Sequence, residues 1–163
     1  MITIHFGVEP DIQIAFGLEE VRSFTLPDGS VYAVVAHNKE RRLVHDVWVG
    51  DFDDQTAFRA VLSYILELMR TGDYAYWLAD IRHLSTSFIG SNAWLVHELM
   101  PAVIAAGLVR EAVVVPDEVA APEGFDVLGA ATAALREIAD GRVRGFRDIK
   151  VAKRWLFEGD LLG

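Results

Sequence analysis

The sequence predicts an α/β fold, in which a mixed β-sheet begins with a hairpin and continues through alternating helices and strands. Apolar side chains alternate in strand fashion up to Gly50, and apolar residues at helical spacing follow it. Short apolar runs then recur between the helical segments, which is typical of strands buried on both faces. Strands that alternate with helices favour parallel pairing through right-handed crossovers, so we expect helices to cover the sheet.

Roughly the first 40 residues are predicted to be β structure. Asp11–Phe16 alternates polar and apolar side chains, as a strand does. The segment 26–30 favours a turn, because its Pro presets φ and its Gly accepts a positive φ. Val31–Ala36 and Arg42–Val49 then follow as the two strands of a hairpin.

A long helix is predicted next, with Asp53 or Asp54 as its N-cap and Gly72 just beyond its end. The run Tyr74–Ala79 is expected to be a buried strand that ends in Asp80. The apolar stripe of the helix falls at spacings of three and four residues and consists of Phe58, Val61, Leu62, Ile65, Leu68 and Met69.

The second half of the chain repeats this alternation. A helix capped by Ser91 and ended by Gly107 is expected to bend at Pro101, because the proline removes the N–H bond to the carbonyl of His97. The pattern then predicts a strand at 112–115 and a helix with its core face from Phe125 to Ile138. A strand at Val143–Phe146 and a last helix capped by Asp148 follow. The core positions of that helix are Val151, Ala152, Trp155 and Leu156.

Length and composition predict one globular domain. The chain has 163 residues, of which 52% are hydrophobic and 24% charged, enough for a real core. We expect a single domain over 1–163, with 1–40 as an N-terminal β extension and 41–157 as the core. The absence of cysteine excludes disulfides and thiolate zinc sites and fits a cytoplasmic protein. The N-terminus lacks the basic and apolar regions of a signal peptide.

Charge and hydropathy narrow the classes of partner. The formal net charge is −9, a field that repels phosphate backbones, so nucleic acid is not expected as a partner. No apolar segment approaches the ~20 residues of a membrane span. An exposed edge of the N-terminal hairpin could pair with the same edge of a second chain, so a homodimer is one possible assembly.

Two sets of residues, taken in order, carry a resemblance to a known family. They are Trp48 and Gly50, the strand end Trp77-Leu-Ala-Asp80-x-Arg82, and Trp94 with Pro101 and Gly107, followed by Val113–Pro116 and the closing pattern of Asp148, Ala152, Trp155 and Leu156. From Val47 to Phe157 the chain resembles the bacterial STAS-like proteins, which are related to sporulation anti-sigma-factor antagonists and linked to CRAL-TRIO lipid-transfer domains. The resemblance implies a STAS-like mixed sheet of four to five strands with helices mainly on one face.

The same resemblance implies a regulatory surface. In the antagonists a serine in an Asp-Ser-Ser/Thr-Gly sequence opens the helix after this strand, and its phosphorylation switches partner binding. The corresponding region here is Leu84–Ser91, a longer loop with no Asp before its hydroxyl residues. Those hydroxyls can receive a phosphate at the helix N-terminus or, the commoner case, cap the helix and meet solvent; they are Ser85, Thr86, Ser87 and Ser91.

Asp80, Arg82 and His83 lie at the end of a predicted strand, where an α/β protein usually places its working surface. They can anchor a ligand or partner, or Asp80 can simply accept backbone N–H groups of the following loop. His83 is a general-base candidate in principle, but no nucleophile, cofactor motif or His-x-x-x-His pair accompanies it. We therefore expect no enzymatic activity, no cofactor and no metal site.

Two functions follow from these residues. The first is a non-enzymatic module that binds a protein partner through the candidate site Asp80, Arg82, His83, Ser85, Thr86, Ser87 and Ser91. The alternative is a carrier for a lipid or other apolar small molecule in a pocket between helices and sheet. Its motivation is the set of aromatic residues at inward positions, which includes Trp48, Trp77, Trp94 and Trp155.

Overall fold

In the part of the chain that the structure describes, six strands form a single mixed sheet. The computed structural model describes residues 6–50, 54–84, 89–117 and 141–159. The strands are β1 (Glu19–Thr25), β2 (Val31–Asn38), β3 (Leu43–Gly50), β4 (Tyr76–Leu84), β5 (Arg110–Val114) and β6 (Val143–Phe146). They lie side by side in chain order. The pairs β1–β2 and β2–β3 are antiparallel, and the three remaining pairs are parallel. The predicted mixed α/β fold and its hairpin are therefore confirmed.

The described helices are α1 (Pro10–Phe16), α2 (Gln55–Arg70), α3 (Asn92–Trp94), α4 (Met100–Ala105) and α5 (Ile149–Glu158). A 3₁₀ turn, Ile89–Ser91, precedes α3, and a π-helical segment, Leu95–Leu99, joins α3 to α4. The helix expected around 125–138 lies outside the described residues. Within the described ranges, no helix combines the length and the apolar character needed to cross a membrane.

The prediction of a strand at Asp11–Phe16 is wrong, because this segment forms α1. Proline stands in its first turn, and Gly17 ends it in the left-handed conformation at φ 60°. Ile12 and Phe16, four residues apart, are buried, whereas Ile14 between them is 87% exposed. A strand would have buried all three on one face, so the spacing of four decides in favour of the helix.

The predicted long helix is confirmed as α2. Oδ1 of Asp54 accepts a 3.0 Å hydrogen bond from the backbone N–H of Ala57, which makes Asp54 the N-cap. Gly72 follows the helix with a positive φ of 84°. All but one of the predicted stripe residues are buried; Leu68 is partly buried.

Side chains of the sheet alternate between two cores. The larger core lies on the face that α2 and α4 cover, and it includes Val44 and Trp77. The second core, with Leu43 and Leu78, lies on the opposite face under α1 and α5. α2 and α4 each connect neighbouring parallel strands, so right-handed crossovers place both on the same face.

The helix predicted to bend at Pro101 is irregular in the turn before that residue. The N–H of Met100 donates to the carbonyl of Leu95, five residues back, so the segment is π-helical. This wider turn precedes a residue that lacks an N–H donor and whose ring would crowd a regular helix. Gly107 ends the helix at φ 114°, and the N–H of Leu108 donates to the carbonyl of Val103.

The last strand and helix are placed as predicted. β6 has the expected bounds, and Oδ1 of Asp148 accepts hydrogen bonds from the N–H groups of Lys150 and Val151 at the start of α5. The prediction of Val151 as a core residue is wrong, since it is 44% exposed. It lies in the first turn of α5, and the buried side chains are those of Ala152, Trp155 and Leu156.

Candidate functional site

A cavity of about 70 Å³ lies between the sheet and the helices α2 and α4. Its walls are mostly apolar and aromatic, and two carboxyl groups also line it. This central cavity is defined by Asp46, Trp48, Phe58, Trp77, Met100 and Glu111, with further aliphatic residues around them. Of the four tryptophans expected at inward positions, Trp48 and Trp77 line the cavity, and Trp155 is buried in the core on the opposite face. Trp94 instead packs near the guanidinium of Arg59.

Asp46 stands on β3 and holds two tryptophans in place. Nε1 of Trp48 donates to its Oδ2, and Nε1 of Trp77 donates to its Oδ1, each at 2.7 Å. The carboxyl is 1% exposed. Burial raises its pKa to about 6, even though the two indole hydrogen bonds pull the pKa down. Each carboxyl oxygen of Asp46 therefore holds the ring of one tryptophan that lines the cavity.

Glu111 stands on β5 and has no such partners. Its side chain is 7% exposed, it lines the central cavity, and no side-chain hydrogen bond or ion pair joins it to any residue in the described part of the chain. Burial, and then the charge of Asp46, raise its pKa well above the ordinary value. A carboxyl this deep in the fold favours its neutral form unless a hydrogen-bond donor or a cation reaches it.

Strand pairing fixes how the two acids are separated. Asp46 pairs with Ala79 on β4, and Glu111 pairs with Trp77, two residues earlier on β4. Because β4 lies between β3 and β5, the two backbones are roughly 10 Å apart across the sheet. The two carboxyls therefore come from strands on either side of β4 and line the same cavity.

A second polar cluster lies on the opposite face, in the second half of β4. The prediction that this strand ends in Asp80 is wrong, because β4 continues to Leu84 and Asp80 stands at its middle. Arg82 binds both oxygens of Asp80, at 3.0 and 2.9 Å, and both oxygens of Asp11 on α1, at 2.7 and 3.0 Å. Asp80 is fully buried and also accepts the backbone N–H of Arg82. The hydrogen bonds from Arg82 lower the pKa of Asp11, and its two partners raise the pKa of Arg82. The cluster ties α1 to the sheet.

A β-bulge explains why neighbouring residues reach the same helix. Val47 pairs with Asp80, but Val49 pairs with His83. An advance of two residues on β3 therefore corresponds to an advance of three residues on β4. Nε2 of His83 lies 3.0 Å from Oε1 of Glu9, just before α1. The structure therefore brings Asp80, Arg82 and His83, predicted as one group, together on this strand. Arg82 and His83 also contact Asp11 and Glu9 of the N-terminal segment.

His45 lies in the interior of the same face. Its Nδ1 donates to the carbonyl of Leu78 at 2.7 Å, which leaves Nε2 as an acceptor with no partner in the described part of the chain. Complete burial lowers its pKa to about 4, against the charge of Asp80, which favours the protonated form. The ring is thus neutral at pH 7.

The predicted hydroxyl cluster is only partly described. Ser91 is buried, donates its hydroxyl to Oε1 of Gln55, and accepts a hydrogen bond from Nε of Arg59 at 3.2 Å. It therefore links the start of the α3 region to α2, on the face opposite Asp80. Ser85, Thr86 and Ser87 lie outside the described residues. In the described ranges no group of three or more His, Asp or Glu residues is arranged to hold a metal ion.

Comparison with known proteins adds no relative. Neither a scan against protein-family models nor searches of curated proteins and solved structures found a match. The STAS-like assignment stays a prediction from the sequence.

The sequence reasoning did not identify Asp46 and Glu111. The sequence did contain a sign of both positions, because each acid stands in or beside a strongly apolar run. Asp46 lies within Leu43–Val49, and Glu111 directly precedes Ala112–Val115. An acid in a strand that is buried on both faces is seldom accommodated without a partner. Such positions can be found from sequence alone, although their shared cavity cannot.

Proposed function

We propose that this chain is a non-enzymatic binding domain for a small molecule held in the central cavity. The observation that carries the proposal is Glu111, a carboxyl that is 7% exposed, faces a cavity with room beside it, and lacks a side-chain partner in the described residues. Cavities with apolar walls and a few convergent polar groups are the usual form of ligand sites. This supports the small-molecule alternative.

The size of the cavity limits the ligand. Its volume is about 70 Å³, whereas pockets for drug-sized ligands have roughly 300–1,000 Å³ and a cavity of about 150 Å³ accepts benzene. We therefore propose a ligand, or a ligand group, of a few heavy atoms rather than a lipid chain. The protein-binding role implied by the resemblance depends largely on residues 85–87, and it stays a prediction.

Blocking the cavity tests the proposal. Ala79 lines it on β4, in the row between Asp46 and Val113, so Ala79→Ile fills its floor. Wild type should bind trimethylammonium or tert-butyl alcohol with shifts of the indole N–H resonances of Trp48 and Trp77. Ala79→Ile should abolish those shifts.

The matched control is Ile14→Ala, an exposed site on the opposite face, which should leave binding intact. Circular dichroism would verify that both variants are folded. If neither probe shifts the indole resonances of wild type, or if Ala79→Ile binds as well as wild type, the proposal is wrong.

A further inference from the structure

We propose that the central cavity recognises a small organic cation, an alkyl- or methylammonium group, with Glu111 as its counter-ion. This inference rests on the proposed function and names the ligand class of the same site. It is argued from the partners that Glu111 lacks, from the aromatic walls, and from the size of the cavity.

In the described residues, the three arginines nearest to Glu111 in the strands make no hydrogen bond or ion pair with its carboxyl. Nε of Arg110, the preceding residue, donates to the carbonyl of Leu156 at 2.8 Å. The Arg144 guanidinium lies over the ring of Trp155 at 5.6 Å, on the face covered by α5. Nη1 of Arg142 donates to the carbonyl of Leu108 at 3.3 Å. The buried Nε of Arg142 has no partner in the described residues, but no charge of an arginine acts on the pKa of Glu111, so the arginines described do not neutralise this carboxyl.

The other carboxyl cannot satisfy Glu111 either. Asp46 accepts hydrogen bonds from two indole nitrogens and makes none with Glu111, and its charge opposes ionisation of Glu111. The remaining neighbours in the adjoining strands are Trp77 and Val143, which pair with Glu111 in the ladders. Within the described residues no side chain donates to Glu111, and two acids that line one small cavity favour a cationic ligand.

The walls are suited to an alkylated ammonium group. Trp48 and Trp77 line the cavity and are held by Asp46, and Phe58 packs against Trp48 with ring centroids 5.5 Å apart. Aromatic side chains attract cations through the negative faces of their rings, as in the aromatic cages that bind methylated ammonium groups. Their apolar surface also accommodates methyl groups, which a fully hydrated metal ion lacks.

The volume of the central cavity limits the number of heavy atoms in the ligand. About 70 Å³ is roughly half of the cavity that accepts benzene's six carbons. Trimethylammonium, with four heavy atoms, is therefore an appropriate probe. Tert-butyl alcohol has a similar shape without the charge and is the matched neutral probe.

Binding of a cation should release a proton. Burial, and then the charge of Asp46, raise the pKa of Glu111 well above its ordinary value, so the site without a cation favours the protonated carboxyl. An ammonium group stabilises the carboxylate form and displaces that proton to solvent. Affinity for trimethylammonium should therefore rise with pH while the probe stays protonated. In the described residues, the charged group that acts on Glu111 in this titration is Asp46. Its strand neighbours Trp77 and Val143 do not titrate.

The experiment is a calorimetric titration of the full chain with trimethylammonium and with tert-butyl alcohol, in two buffers of different ionisation enthalpy. Trimethylammonium should bind more tightly than the alcohol and release protons. Glu111→Gln should weaken trimethylammonium binding roughly 10- to 100-fold, the loss expected for a buried charge-assisted contact. The same variant should leave binding of the alcohol within a few-fold.

The matched control is Glu67→Gln, which removes one exposed acid from α2 and should change neither affinity. If Glu111→Gln does not fold, the assignment of a cation is tested on wild type alone. The measurements are the proton release and the pH dependence of its affinity for trimethylammonium. Equal affinity for both probes, or no proton release, overturns the assignment of a cation while the binding function stands. Binding of neither probe overturns the binding function itself.

Discussion

Nε1 of Trp77 on β4 donates a 2.7 Å hydrogen bond to Oδ1 of Asp46 on β3. Trp48, two residues beyond Asp46, donates to the other oxygen of the same carboxyl. One acid thereby fixes two large aromatic side chains from two neighbouring strands, within a core where each is at most 2% exposed. The shape of the central cavity depends on this three-residue arrangement.

Asp46→Asn should destabilise the fold. An asparagine side chain has one acceptor oxygen, so it can serve only one of the two indoles and places its NH₂ group against the other. A buried donor left without an acceptor costs about 1–3 kcal/mol, and we expect a loss of that size in the free energy of unfolding measured with urea.

The control for this change is Asp73→Asn. Asp73 forms a 3.9 Å ion pair with Lys39, and both side chains are more than half exposed, so its loss should be barely measurable. Equal stability of Asp46→Asn and wild type would show that the indole hydrogen bonds do not hold this core together.

His45→Gln should change how stability depends on pH. Burial lowers the pKa of His45 from 6.5 to about 4, so the stability that comes from the neutral ring is present above pH 6.5 and is lost as the pH falls through 4. This amounts to about 3 kcal/mol. The glutamine variant lacks this contribution because it does not titrate.

Asp46 acts in the opposite direction over the same pH range. Its pKa is raised from 3.8 to about 6, so its contribution of about 3 kcal/mol is present below pH 3.8 and is lost as the pH rises through 6. In wild type the two contributions largely cancel. The difference in unfolding free energy between wild type and His45→Gln should therefore grow by about 3 kcal/mol from pH 4 to pH 6.5. Urea unfolding at a series of pH values measures it, and a constant difference would contradict the burial of a neutral His45.

Two substitutions at the Arg82 cluster should differ strongly. Arg82 binds Asp80, whose side chain is fully buried, and Asp11, whose side chain is 49% exposed. Asp80→Asn leaves the guanidinium with one partner and should cost about 2–4 kcal/mol, because breaking a buried pair is expensive. Asp11→Asn removes the exposed half of the cluster and should cost at most about 1 kcal/mol.

Thermal unfolding of the two variants under one buffer condition makes this comparison. Should Asp11→Asn prove as damaging as Asp80→Asn, the main role of Arg82 would be to dock α1 rather than to neutralise Asp80.

Much of the fold could be predicted because its local signals were unambiguous. The hairpin, the cap at Asp54, the stripe of α2 and the cap at Asp148 all depend on residues within one or two turns of each other. α1 was missed because Ile12, Ile14 and Phe16 fit a strand as well as a helix, and six residues are too few to separate the two periods.

The candidate site could be predicted only in part, because its contacts are long-range. The closeness of Asp80 and Arg82 is visible in the chain, but Asp11 is 71 residues from Arg82, and its approach depends on the packing of α1. Strand alternation places Asp46 and Trp48 on one face. That Trp77 and Glu111 share this face follows only from the registers of three strands.

A last prediction concerns the empty space itself. Val113 lines the central cavity, whereas Val35 is buried in the same core and does not line the cavity. Val113→Ile extends one methyl group toward unfilled space and should stabilise the fold by up to about 0.8 kcal/mol, the value of one buried methylene. Val35→Ile adds the same group where the core is packed and should destabilise it by about 1–3 kcal/mol. Because the isoleucine at 113 occupies ligand space, that variant should also bind trimethylammonium more weakly than wild type. Urea unfolding and calorimetric titration of both variants measure the two effects, and equal destabilisation by the two substitutions would show that the cavity has no usable volume.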